Sequence, residues 1–177
     1  MSAQIVLFAG PICSGKSTLS KAVAKKLAWR WVGFADYLRH VATDQGLPTS
    51  RSYLQELGQQ FIERGWLRFC QGVLDFAQWS RELALIVDGV RHVEAVNSLR
   101  SLTAPSPLTV VFVETPLQIR KERFATREPG SSFDVVDSHP VERDSGVTLR
   151  LLADHVVDGS APVDANVHRL IQLMALD

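Results

Sequence analysis

Cysteine is scarce in this 177-residue chain: only Cys13 and Cys70 occur. Two thiols cannot build a disulfide framework, and Cys13 lies within a glycine-bounded turn, so no structural disulfide is expected and a reducing compartment fits. Long apolar runs are also missing. None approaches the ~20 residues that cross a bilayer. The first nine residues lack a basic stretch and a small-residue cleavage site, so they read as a strand rather than a signal peptide. The expectation is a cytoplasmic protein with no membrane association, as monomer or homodimer. Net charge is absent too, with Lys+Arg and Asp+Glu at 19 each. That balance argues against bulk nucleic-acid binding, though not against a local basic cleft. The five histidines show no metal-ligand spacing. Lysine is sparse, 5 against 14 Arg. Arg suits bidentate phosphate contacts, although a GC-rich genome would produce the same skew.

What is present is an alternation of short apolar runs and helical periodicities, without internal repeats. Gln4–Ala9 is a continuous apolar run, as expected of a strand covered on both faces. Thr18–Leu27 reads as a helix, Trp31–Phe34 as a second strand and Asp36–Gln45 as a second helix. Ser50–Trp79 carries a long helical pattern that Gly65 divides. Leu83–Val87 is a third strand running into Asp88-Gly89, followed by a helix marked by Val93, Val96 and Leu99. Leu108–Val113 is a fourth strand. Thr115-Pro116-Leu117-Gln118 then opens a helix, with Thr115 as cap and Pro116 at the first helical position. About Glu128 to about Gly146 is polar and aperiodic, a long loop. Ala153–Val157 is a fifth strand and Val163–Met174 a last helix. This pattern predicts one α/β domain over residues 1–177, a five-stranded, mainly parallel sheet with helices on both faces. In such sheets ligands sit beyond the carboxyl ends of the strands, which here are Gly10, Asp36, Asp88 and Glu114.

Gly10-Pro11-Ile12-Cys13-Ser14-Gly15-Lys16-Ser17 satisfies G-x-x-x-x-G-K-[ST] between an apolar strand and an amphipathic helix. The pattern places backbone N–H groups and a helix N-terminus around phosphate oxygens. Lys16 is expected at the β- and γ-phosphates of ATP and Ser17 on Mg²⁺. Gly10, Cys13, Ser14, Gly15, Lys16, Ser17 and Thr18 are the candidate ATP contacts. Asp88 ends an apolar strand where such a site needs an acid to hold Mg²⁺, partly through water. Gly89 follows it, where many ATPases place a water-activating Glu, and no N-K-x-D guanine signature occurs. Both absences favour transfer to a bound acceptor over hydrolysis.

In order along nearly the whole chain, these residues resemble the P-loop NTPase fold of adenylate kinases, nucleoside monophosphate kinases and phage-type deoxynucleoside monophosphate kinases. Ala35-Asp36-Tyr37-Leu38-Arg39 is similar to G-D-M-L-R, which implies that Arg39 grips an acceptor phosphate. Asp88-Gly89-Val90-Arg91 is similar to D-G-F-P-R one residue short, which implies the same for Arg91. Pro116, Arg123 and Arg127 reproduce the P-x6-R-x3-R spacing at the entrance to the kinase lid. The resemblance implies Arg123 near the adenine and Arg127 near the transferred phosphate. Arg143 and Asp144 resemble the far side of a short lid over about 128–146. Leu54–Gly58 with Arg64 and Trp66 looks like a segment of deoxynucleoside monophosphate kinases, and about 35–80 is the expected acceptor-binding helical segment. The lid lacks zinc-type cysteines, and Ser138-His139-Pro140 has no adenylate kinase counterpart.

The expected activity is ATP- and Mg²⁺-dependent phosphoryl transfer to a small acceptor, most simply a nucleoside or deoxynucleoside monophosphate. Lys16, Arg127, Asp36 and Asp88 are the candidate catalytic residues, and Asp36, Arg39 and Arg91 the acceptor contacts. The alternatives are that the arginines are solvated helix faces, that Asp36 is only a helix cap, or that the chain is a nucleotide-binding regulatory protein or ATPase acting through a protein partner.

Overall fold

The structure, a computed structural model, describes residues 3–137 and 146–174. Five strands form one sheet: β1 (Ile5–Ala9), β2 (Arg30–Gly33), β3 (Leu85–Val90), β4 (Leu108–Glu114) and β5 (His155–Asp158), in the order β2-β3-β1-β4-β5. Every pairing is parallel. Gly33 pairs with Asp88, and Glu114 with Asp158, so the carboxyl ends of the strands share one edge. The register between β1 and β3 slips at Phe8/Ala9, beside Asp88. β1 is buried on both faces because its neighbours flank it and helices cover each side.

Side chains alternate across β1. Ile5, Leu7 and Ala9 face one core and Val6 and Phe8 the other. The second core is roofed by α1 (Lys16–Leu27) and by the last helix, α9 (Val163–Leu173), through Leu19, Val23, Val167 and Leu170. The first takes α2 (Phe34–Asp44), α3 (Arg51–Glu63), α4 (Trp66–Phe76), α5 (Val93–Thr103) and Leu149 of α8 (Val147–Leu152). Ser50 caps α3, its hydroxyl accepting from Tyr53 N–H at 3.4 Å. Gly65, at φ 110°, separates α3 from α4 at the expected position, since few other residues adopt that angle.

Several sequence expectations shift. Asp88 lies inside β3 rather than after it. The fifth strand begins at His155 rather than Ala153, because Asp154 turns its carboxylate onto Val110 N–H at 2.7 Å. Thr115 does not cap the helix α6 (Leu117–Arg127). Pro116 holds the cap position, and the Thr115 hydroxyl donates instead to Ser14 C=O at 2.8 Å. Gln118 Nε2 donates to Glu122 at 3.0 Å along the helix. The aperiodic stretch contains a short helix, α7 (Phe133–Asp137), anchored by Phe133 packing edge-on to Phe124 with ring centroids 5.4 Å apart. Arg143, Asp144 and Ser138-His139-Pro140 lie outside the described residues.

Candidate active site

The loop after β1 has the backbone its sequence requires. Gly10 (φ 146°) and Gly15 (φ 92°) take angles open to glycine, and Cys13 adopts φ 58° between them. A Cβ on Gly10 would meet the carbonyl of Val113, so the loop starts pressed against β4. Its carbonyls are tethered from outside. Thr115 Oγ1 holds Ser14 C=O, and Arg123 Nη1 reaches Cys13 and Ser14 C=O at 3.4 and 3.3 Å while Nη2 holds Gly159 C=O at 2.9 Å. Arg120 Nη1 spans Ile12 C=O at 3.4 Å and Asp137 at 2.9 Å. In a planar trans peptide the following N–H points the opposite way. The N–H groups of Cys13, Ser14 and Gly15 therefore point away from α6, and Ser14 N–H meets Pro11 C=O at 3.2 Å.

Lys16 opens α1, is only 7 % exposed, and its Nζ donates to Pro11 C=O at 3.0 Å inside the loop. One residue on, Ser17 Oγ donates to Asp88 Oδ2 at 2.6 Å. Asp88 Oδ1 and Ser14 Oγ are buried with no hydrogen-bond partner. Burial pushes the Asp88 carboxyl above the usual carboxylate range, against the opposing pull of the Lys16 ammonium and the Ser17 hydroxyl. A buried carboxylate with one oxygen unmet, beside a hydroxyl at the N-terminus of α1, is a donor set that suits Mg²⁺. Among the described residues there is no cluster of three or more His, Cys, Asp or Glu that could hold a metal without further ligands.

Two cavities flank the loop. One of about 320 Å³ brings together Cys13, Gly15, Thr18, Arg123 and Arg127 with Gly159 from the turn after β5 and Asn166 of α9. The other, about 470 Å³, opens beside Pro11 and is lined by Glu114, Arg120, Asp137 and Arg150. Arg150 is paired with Glu114 at 2.9 Å. Elsewhere on the edge, Asp36 and Arg39 pair with each other at 2.7 Å on an exposed turn of α2, and Arg91 is half-buried just after β3.

Sequence reasoning, through the resemblance, expected Arg123 near the adenine; Arg123 lines the smaller cavity while its guanidinium holds the loop carbonyls. It did not find Thr115 or Arg120 as braces, or Gly159, where a Cβ would overlap Ser14 C=O and the Thr115 hydroxyl. The signal for Gly159 was available, since Asp158-Gly159-Ser160 is a strand-end turn on the same edge as Gly10 and Asp88.

Both thiols are free. Loop N–H groups and the Lys16 ammonium would by themselves favour a Cys13 thiolate. Burial instead raises the Cys13 thiol above its ordinary value, and this outweighs Arg127, Lys16 and Arg51 nearby. Ile12, Phe124 and Phe133 form the apolar cluster that Cys13 packs against. Cys70, free and buried, is pushed up to about 12. Iodoacetamide labelling of Cys13 should therefore be slow at pH 7, accelerate towards pH 9.5, and stop with saturating ATP and Mg²⁺. Peptide mass spectrometry reads this, with Cys70 as the unreactive internal control. Fast labelling at pH 7, equal with and without nucleotide, would contradict both parts.

Strand order, loop and acid together define a P-loop nucleoside-triphosphate fold. Residues 6–140 match the family model of an AAA domain, and the chain belongs to that family. It is 24 % identical to a UPF0200 protein of Thermococcus onnurineus, over 96 % of both chains. It is 30 % identical to a cytidylate kinase of Methanothrix thermoacetophila, over 70 % of this chain and 63 % of that one. Among solved structures, the APS kinase of Mycobacterium tuberculosis in complex with AMPPNP and APS superposes with a TM-score of 0.66 at 18 % identity, covering 98 % of each chain. A shikimate kinase of Acinetobacter baumannii in complex with shikimate gives 0.64 at 17 % identity, over 98 % of this chain and 93 % of that one. These likenesses establish the fold, and the cytidylate kinase relative agrees with the resemblance to nucleoside monophosphate kinases drawn from the motifs. Among the described residues no helix is long and apolar enough to cross a membrane.

Proposed function

We propose that the protein transfers the γ-phosphate of ATP to a small acceptor, most simply a nucleoside or deoxynucleoside monophosphate. The observation that carries this is the juxtaposition of Lys16, Ser17 and the half-satisfied Asp88 carboxylate at one mouth of the braced loop. In this reading Lys16 meets the β- and γ-phosphates and the loop N–H groups take the remaining oxygens. Ser17 and Asp88 hold Mg²⁺, which neutralises phosphate charge. The cavity under Arg123 and Arg127 seats the donor nucleoside, with Cys13, Gly15 and Thr18 as its floor. Asp36, Arg39 and Arg91 serve the acceptor, within a helical segment over about 35–80 of a single domain. Arg127 stands at the entrance to a lid segment over about 128–146. Phosphoryl transfer of this kind rests on positioning and charge neutralisation.

The test is ADP release with ATP alone, then with ribo- and deoxyribonucleoside monophosphates and hydroxyl acceptors in turn. Stimulation by one class identifies the acceptor. Fast hydrolysis that no acceptor stimulates would replace this reading with an ATPase, and slow turnover together with a stable protein partner would replace it with a nucleotide-gated regulator.

A further inference from the structure

We propose that Arg51 is a further ligand through which the acceptor-side helices grip the acceptor phosphate, beside Arg39 and Arg91, and that Glu128 stands in for that phosphate until it arrives. The inference rests on the phosphotransferase reading and names a residue for it. Arg51 is the first residue of α3, and its guanidinium forms an ion pair with Glu128, which caps the C-terminus of α6. The same guanidinium lies 5.9 Å from the Phe124 ring centroid. Phe124 shares an apolar cluster with Ile12 of the phosphate loop, against which Cys13 also packs. Arg51 thus reaches from the acceptor-side helices to the flank of the loop. It also acts electrostatically on the Cys13 thiol alongside Lys16 and Arg127. Arg39, in contrast, pairs with its neighbour Asp36 on an exposed turn.

The pair is built to exchange. The two side chains are 35 % and 29 % exposed, so the charges are sheltered but still reachable. A phosphomonoester brings more charge than a carboxylate and can fit the planar guanidinium fork in a bidentate way, whereas Glu128 Oε1 meets it at Nη1. Once the phosphate takes Arg51, Glu128 is released, and Glu128 directly follows Arg127 at the end of α6. Occupation of the acceptor site would thereby loosen the segment that carries the lid-entrance arginine.

The test uses protein saturated with AMPPNP and Mg²⁺, so that the γ-position is filled, and inorganic phosphate as the probe in calorimetry. Arg51→Ala should weaken phosphate binding about 10–100-fold. Arg51→Lys, a point charge without the fork, should fall between, and Glu128→Gln should strengthen binding several-fold because the competitor is gone. A purely structural clasp predicts instead that Arg51→Ala and Glu128→Gln lose phosphate binding and Tm alike. That result overturns the proposal, as does wild-type protein that binds no phosphate or an Arg51→Ala protein that binds it normally. Acceptor-dependent ADP release, run in parallel, separates the two claims. Arg51-dependent phosphate binding without any acceptor-stimulated turnover would sink the kinase reading and keep Arg51, and the reverse would sink Arg51 alone.

Discussion

Replacing Lys16 by Ala is expected to lower turnover about 10²–10³-fold, the usual cost of removing one preorganised group that stabilises developing charge. The ammonium is buried and held on Pro11 C=O, so it waits inside the loop rather than being recruited from solvent. Nothing else in the braced loop supplies a mobile positive charge at that point. Arg123 is committed to the loop carbonyls, and Arg127 lies beyond it at the exposed end of α6. Lys16→Met, which keeps most of the side-chain volume, should behave like Lys16→Ala. Steady-state ADP release with the preferred acceptor, together with circular dichroism, makes the measurement. A folded Lys16→Ala protein with wild-type turnover would remove this loop from the chemistry.

Asp88→Asn should show opposite signs in two assays. The folded-state pKa of Asp88 lies above its unfolded value, so the native protein favours the protonated form. The stability linked to that proton is fully present below the unfolded pKa and is lost as pH rises through the folded pKa. At pH 7.5, in EDTA and without nucleotide, Asn should therefore be more stable than the native carboxylate, by about 2–4 °C in Tm for each kcal/mol of strain relieved. Its carbonyl can still accept from Ser17. The advantage should shrink as pH falls through the raised carboxyl pKa. In the other assay, Mg²⁺-dependent turnover should drop about 10²–10⁴-fold, because metal-assisted charge stabilisation is worth several kcal/mol. A variant that is less stable at pH 7.5 and turns over normally would refute the assignment of Asp88 on both counts.

The phosphate loop was legible because its chemistry is contiguous: glycines, lysine and serine must stand at fixed offsets for the backbone to wrap. Asp88 was legible because a strand-end acid sits on the edge where β1 ends, and strand alternation alone places that edge. The parallel sheet followed from apolar runs separated by helical patterns. The braces were not legible. Thr115 meets Ser14 across 101 residues, and Arg123 meets Gly159 across 36, contacts that no local spacing reports. Thr115 carried a stronger local signal as a helix cap, and the close approach of α6 to the loop overrode it. α7 and α8 span five and six residues, too few for a helical period to register. The state of the Cys13 thiol was not legible because loop charges are visible in sequence, whereas the apolar cluster that desolvates it assembles only in three dimensions.

The outer tethers on Ile12, Cys13, Ser14 and Gly159 have a kinetic consequence. A glycine-bearing loop free in solution would have to lose backbone freedom whenever a nucleotide arrived, at about 1–2 kcal/mol per residue. Here Thr115, Arg120 and Arg123 hold its carbonyls in place before any ligand is bound. The entropy of shaping the loop is lost once, when the chain folds, rather than in every catalytic cycle. Nucleotide capture should accordingly follow a single fast phase with little heat-capacity change from the loop itself, and slower phases should originate elsewhere in the chain.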